Sequence, residues 1–199
     1  MPLLETFGSA SAGAFGLNSL LVSGDSSFES IETFVLASST SSINFSSIPS
    51  GFQHLQIRCD VRSVDGGSAG NYANLRLNGD TGNNYGYKYV ETTPSVANSA
   101  VTNGTGNIDR LYSSYFSNNG GSATGYFASM IIDLWDYSNT NKYKIWRCYG
   151  GWHDRSVGRH SSMAGHWLSN SAVNAISIAP QGTSWVAGST FALYGIKNV

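Results

Sequence analysis

Between Phe52 and Arg62 the chain alternates without a break. Leu55, Ile57, Cys59 and Val61 fall on one side, and Gln56, Arg58, Asp60 and Arg62 on the other. Successive side chains leave a strand on opposite faces, so a period of two marks a strand with one buried and one wet face. A helix would need its apolar stripe at a period of 3.6, and no segment shows it convincingly. Other runs read the same way: Ser27–Leu36, Ser42–Phe45, Tyr72–Leu77, the alternating Tyr85, Tyr87 and Tyr89, Ile108–Phe116, Lys142–Tyr149, Ser161–Leu168, Ala175–Ala179 and Thr190–Ile196. Turn signals separate them, among them Pro49-Ser50-Gly51, Asp65-Gly66-Gly67 and Asn78-Gly79, the last a strong hairpin signal. Gly125–Trp135 differs, with Phe127, Ile131 and Trp135 on one side and Met130, Ile132 and Leu134 on the other. Apolar on both sides, it is expected to be a central strand covered on both faces, with Phe127 and Trp135 in the core.

About ten strands with turn signals every 8–12 residues or so predict an all-β fold. The expected form is a two-sheet β-sandwich of jelly-roll type with an extended N-terminal arm; a closed barrel is the lesser alternative. The arm is residues 1–27 and the sandwich residues 28–199. The arm mixes Gly, Ala and Ser with the apolar anchors Leu4, Phe7, Phe15 and Leu17, more large side chains than a free linker carries. It has neither the positive start nor the continuous apolar stretch of a signal peptide. No run approaches the roughly 18 apolar residues of a membrane span.

Charged residues are only 12% of the chain and the net charge is -1, which argues against nucleic acid as a partner, because phosphate neutralisation needs a concentrated basic surface. Lys142, Lys144, Arg147, Arg155 and Arg159 form the one basic cluster, and it reads as a solvated strand edge. Two cysteines, Cys59 and Cys148, do not make a disulfide framework. Buried free thiols are the favoured state, with a bridge between neighbouring strands left open.

Catalytic constellations are thin. Gly66-Gly67-Ser68-Ala69-Gly70 spells a nucleophile elbow, but a strand and not a helix follows it. His153-Asp154, His160 and His166 lack the converging ligands of a zinc site. Asn78 to Asn84 could offer oxygens to calcium, yet the same residues make a tight turn. The expectation is a protein that is not an enzyme and uses no cofactor and no metal. Aromatics beside polar loops suit sugar or subunit contacts, since a ring face stacks on C–H patches while amides bond hydroxyls. Tyr115, Tyr149, Trp152 and His153 are the candidate binding residues, in or adjoining outward loops at 91–107, 117–122 and 150–160, with Trp152 the main anchor.

Three stretches carry a resemblance: Ile43 to Arg58, Leu75 to Tyr85 and Gly188 to Lys197. Together they resemble β-sandwich structural proteins of tailed bacteriophages, notably cyanophages and other aquatic phages. Ala12-Gly13-Ala14-Phe15-Gly16-Leu17 is similar to the small-residue arm that opens many phage tail-fibre-like proteins. The resemblance implies a virion structural protein, made in the host cytoplasm, that serves as a tail-fibre or baseplate appendage. Its implied partners are other virion proteins, further copies of itself in a trimer, and a host-surface glycan. The alternatives are a capsid decoration (cement) protein and, in another class, a carbohydrate-binding lectin module.

Overall fold

The structure, a computed structural model, describes residues 27–64, 71–92, 97–102, 110–116, 125–153, 158–181 and 184–197. The arm anchors Leu4, Phe7, Phe15 and Leu17 lie outside these described residues, as does Ser68. The described residues form fourteen strands and no helix. In chain order these are β1 (Phe28–Val35), β2 (Ile43–Phe45), β3 (His54–Val61), β4 (Ser63–Val64), β5 (Asn71–Leu77), β6 (Tyr85–Thr92), β7 (Ala97–Thr102), β8 (Arg110–Phe116), β9 (Ala128–Trp135), β10 (Lys144–His153), β11 (Gly158–Trp167), β12 (Ile176–Pro180), β13 (Ser184–Trp185) and β14 (Thr190–Ile196). An eight-stranded sheet runs β1-β14-β3-β9-β10-β11-β6-β7, a four-stranded sheet runs β2-β12-β5-β8, and β13 pairs with β4. Every pairing is antiparallel.

The two larger sheets share one core, an arrangement consistent with a β-sandwich. Leu55, Ile57, Cys59 and Val61 of β3 lie beside Ala128, Met130, Ile132 and Leu134 of β9. They meet Ile43 and Phe45 of β2, Leu75 and Leu77 of β5, and Ile176 and Ile178 of β12. Each Val, Leu, Ile, Met or Phe among them, fully buried, is worth about 1.5–3 kcal/mol of transfer free energy. Within the large sheet Trp146 faces Gly165 across the β10–β11 ladder and lies over the bare glycine. Cys59 and Cys148 are free and buried, and burial pushes the Cys59 thiol well above 9.0. They sit on β3 and β10, with β9 between. Two interstrand spacings of about 4.8 Å exceed the roughly 7 Å that a disulfide spans.

One end of the sandwich is closed by polar groups that satisfy each other. Asn78, at φ 53° in the turn after β5, accepts from the Asn174 and Ala175 amides and donates to the Ala172 carbonyl. The Asp80 carboxylate receives the Trp167 indole N–H, the Asn84 amide and the Gly82 N–H, each at 2.7 Å. Partial desolvation raises the Asp80 pKa, but these three donors outweigh it and hold the group below its ordinary 3.8. Its oxygens are thus taken up by the turn, and among the described residues no group of three or more His, Cys, Asp or Glu is placed to hold a metal. Lys144 is fully buried, and its ammonium donates to the carbonyls of Asn139, Lys142 and Asn170. The reading of Lys144 as part of a solvated edge is therefore corrected: it points inward, alternating with the exposed Ile145 and Arg147.

Other expectations also change. β9 is central, but among the described residues it is covered on one face only: Met130, Ile132 and Leu134 are buried, while Ile131 and Trp135 are exposed. The 91–107 stretch contains the strand β7, which pairs with β6. Most of 150–160 is the end of the β10–β11 hairpin, with Gly151 opposite His160 and Trp152 opposite Arg159. Trp152 is accordingly buried, at 6% exposure, and belongs to the core. A parity argument explains it: Trp146, Cys148, Gly150 and Trp152 all point inward from one strand.

Candidate binding surface

The outward positions of the eight-stranded sheet alternate with the core positions just described, and a solvated face would carry polar residues there. Instead Val90 of β6, Ile131 and Trp135 of β9, and Ile145 and Tyr149 of β10 stand 41–54% exposed. Register brings them together, since Ile131 pairs with Tyr149 and Trp135 with Ile145. One arginine stands beside this apolar band, Arg58 on β3, and another within it, Arg147 on β10. Arg58 lies over the Phe28 and Tyr194 rings at 5.1 and 5.3 Å, and Arg147 over Trp135 at 6.0 Å. Such cation–π contacts hold a guanidinium flat without neutralising it.

Two depressions mark this face. The first, about 250 Å³, is lined by His54, Gln56, Asp133, Trp135 and Ile196. Its polar side is fixed by a chain of hydrogen bonds. Arg58 Nε donates to Gln56 Oε1 at 2.8 Å, and Gln56 Nε2 donates to Asp133 Oδ1 at 2.7 Å. His54 packs 4.8 Å from Trp135, and its Nδ1 accepts the Asp136 N–H at 3.0 Å. Asp136 is held below 3.8, chiefly by its hydrogen bond from Lys142.

The second depression, about 320 Å³, runs over β11. Its floor is small because β11 offers Ser162 and Ala164 outward. Its walls are Lys88 and Val90 of β6 and Arg147 and Tyr149 of β10. Lys88 and Arg147 both pair with Ala164, from opposite sides, so the two cations flank the floor at one level.

Of the residues singled out from sequence, Tyr149 stands on this face, 43% exposed. Trp152 does not; it is buried behind the sheet. Tyr115 is on β8 and His153 ends β10, but their side chains lie outside the described residues, as does the 117–122 stretch. His160 and His166 are both outward on β11, six positions apart in sequence, and His166 lies over Gly86. Trp135, Ile131, Ile145, Arg147 and Lys88 were missed as site residues. The signal was present in the strands: large apolar residues occupy positions whose partners one step away already fill the core.

No family model, no curated protein and no solved structure matches this chain.

Proposed function

We propose that this chain is a binding and assembly module without catalytic activity, and that it serves as a bacteriophage virion structural protein, a tail-fibre or baseplate appendage. The observation that carries the binding part is the band of Trp135, Ile131, Ile145, Tyr149 and Val90, with Arg147 within it and Arg58 beside it on β3, on a face that should otherwise be polar. Aromatic residues and arginine, with few acids, are the composition of contact surfaces. The virion part rests on the resemblance of the Ile43–Arg58, Leu75–Tyr85 and Gly188–Lys197 stretches. In this reading the sandwich is of jelly-roll type, residues 1–27 form the arm that docks it on other virion proteins, and the assembled form is a homotrimer. The outer face of the large sheet then points at the host surface.

Localisation on purified particles is the first test. Antibody against this chain should label the tail or baseplate by immunogold microscopy. Label spread over the head would replace the reading by that of a capsid decoration protein, and absence of label would refute a virion role. Adsorption is the second test. Particles carrying Trp135→Ala with Ile145→Ser should adsorb to host cells markedly more slowly, and unchanged adsorption would refute the outer face as the contact surface.

A further inference from the structure

We infer that the groove over β11 is a subsite for an acidic sugar, with a uronate carboxylate held between Arg147 and Lys88 and the pyranose ring laid against Tyr149. The inference rests on the reading of the outer face as a contact surface and names its ligand class.

Charge is the first argument. Among the described residues, neither Lys88 nor Arg147 has a carboxylate partner, although the whole chain carries only 11 Lys and Arg. The outward acid Asp133 stands opposite Arg147 in the ladder, but on β9, the side of β10 away from β11, where it accepts from Gln56. Two cations therefore face one small-residue floor with no anion of the protein's own between them. The Arg147 guanidinium carbon lies 6.0 Å from the Trp135 ring centroid, and a guanidinium carries the paired N–H groups that match a carboxylate. Lys88 supplies a point charge from the other wall.

Shape is the second argument. β6 and β10 stand on either side of β11, so the walls rise from backbones roughly 9–10 Å apart. Ser162 and Ala164 leave that gap open, and Ser162 offers a hydroxyl at the floor. A pyranose brings what these walls lack: a C–H face for Tyr149 and Val90, hydroxyls for Ser162, and at C5 a carboxylate for the cations.

Topology is the third argument, and it favours a glycan over an acidic peptide. An extended peptide gains affinity by adding a strand to a free sheet edge. β10, β11 and β6 are all interior strands with ladders on both sides, so their backbone groups are already paired. A peptide lying on this face would leave its own backbone groups without sheet partners.

The full chain should be titrated calorimetrically with tri-galacturonate, with its fully methyl-esterified form and with a glutamate oligomer of equal charge. Tri-galacturonate is expected to bind, its ester about tenfold or more weakly, and the peptide no better than the ester. Arg147→Ala, Lys88→Ala and Tyr149→Ala should each weaken uronate binding about tenfold with unchanged melting temperature. Ala164→Trp, which fills the groove, should abolish it. Equal binding of acid and ester, stronger binding of the peptide, no binding at all, or indifference to Arg147→Ala and Ala164→Trp would each overturn the acidic-sugar subsite. If uronate fails while the Trp135 and Ile145 double variant still slows adsorption, the contact face stands and only its ligand class falls.

Discussion

Gly165→Ala tests the packing of the large sheet at its most crowded point. A Cβ at Gly165 would lie 2.3 Å from Cε2 and Cζ2 of Trp146 and 2.7 Å from its Nε1. Carbon atoms in contact normally sit about 3.5–4.0 Å apart, so the ring must retreat by more than about 1 Å. Trp146 is fully buried and closed in by Tyr85 at 6.1 Å, so it has nowhere to swing. Overpacking of this kind costs about 1–3 kcal/mol, and the depth of the clash places it at the upper end. Loss of glycine's freedom in the unfolded chain returns about 0.4–1 kcal/mol, which leaves a net loss of about 2 kcal/mol. For a domain of this size that lowers Tm by roughly 4–8 °C, readable by calorimetry. Gly86→Ala is the matched control. Its Cβ would come within 2.6 Å of the His166 ring, but that ring is only half-buried on the outer face and can rotate into solvent. Its Tm should stay level or rise. Equal losses for the two variants, or none for Gly165→Ala, would refute the placement of Trp146 over Gly165.

Trp152→Ala should cost about 3–5 kcal/mol and lower Tm by roughly 6–20 °C, as for a core aromatic; a near-unchanged Tm would restore it as a surface anchor. Asp80 has a folded pKa below its ordinary 3.8, so its contribution is present above that value and is lost as pH falls through the folded pKa. Acid titration followed by tryptophan fluorescence should therefore show an unfolding limb below about pH 4 that flattens in Asp80→Asn. Lys144 is depressed below 10.5, mainly by burial, so its charge opposes folding at neutral pH and stability rises as pH climbs from the folded value towards 10.5. Even so, Lys144→Met should destabilise by about 1–3 kcal/mol or more, because three carbonyls lose their donor. The burial-raised Cys59 thiol should ignore a thiol reagent at pH 8 in the folded protein and react only in denaturant.

Much of the fold was legible because period and turn chemistry agreed. Leu55, Ile57, Cys59 and Val61 point inward as the alternation required, and Asn78 takes the positive φ of a tight turn, but the hairpin that Asn78-Gly79 signalled does not form: β5 and β6 lie in different sheets, so the turn carries the chain from one sheet to the other. The contact face was less legible, and β9 shows why. Apolar residues on both sides of a strand can mean two covers, or one cover and one contact surface; period alone does not separate them. Trp135 was therefore assigned to the core, and its exposure emerged only with the β10 register. Trp152 failed for the opposite reason. Gly150-Gly151 reads as a hinge, but both glycines sit in the β10–β11 ladder, where Gly151 faces the Arg159 carbonyl at a distance only a missing side chain permits. β7, Ala97–Thr102, has Val101 as its one large apolar residue and among the described residues pairs with β6 alone, so it lacks the apolar alternation that reveals a strand. β4 and β13 have two residues each, too short for any period.

The pairing of the first and last strands bears on how the domain carries force. Phe28 lies opposite Ile196, and the Lys197 amide donates to the Ser27 carbonyl, so Ser27 and Lys197 stand side by side at one end of the β1–β14 ladder. Tension applied between Ser27 and Lys197 acts across the antiparallel ladder of β1 and β14, not along it. Its hydrogen bonds are then loaded one after another, as in a zipper, so the pair peels apart at low force while the rest of the sheet is spared. A tether attached through both ends would yield early.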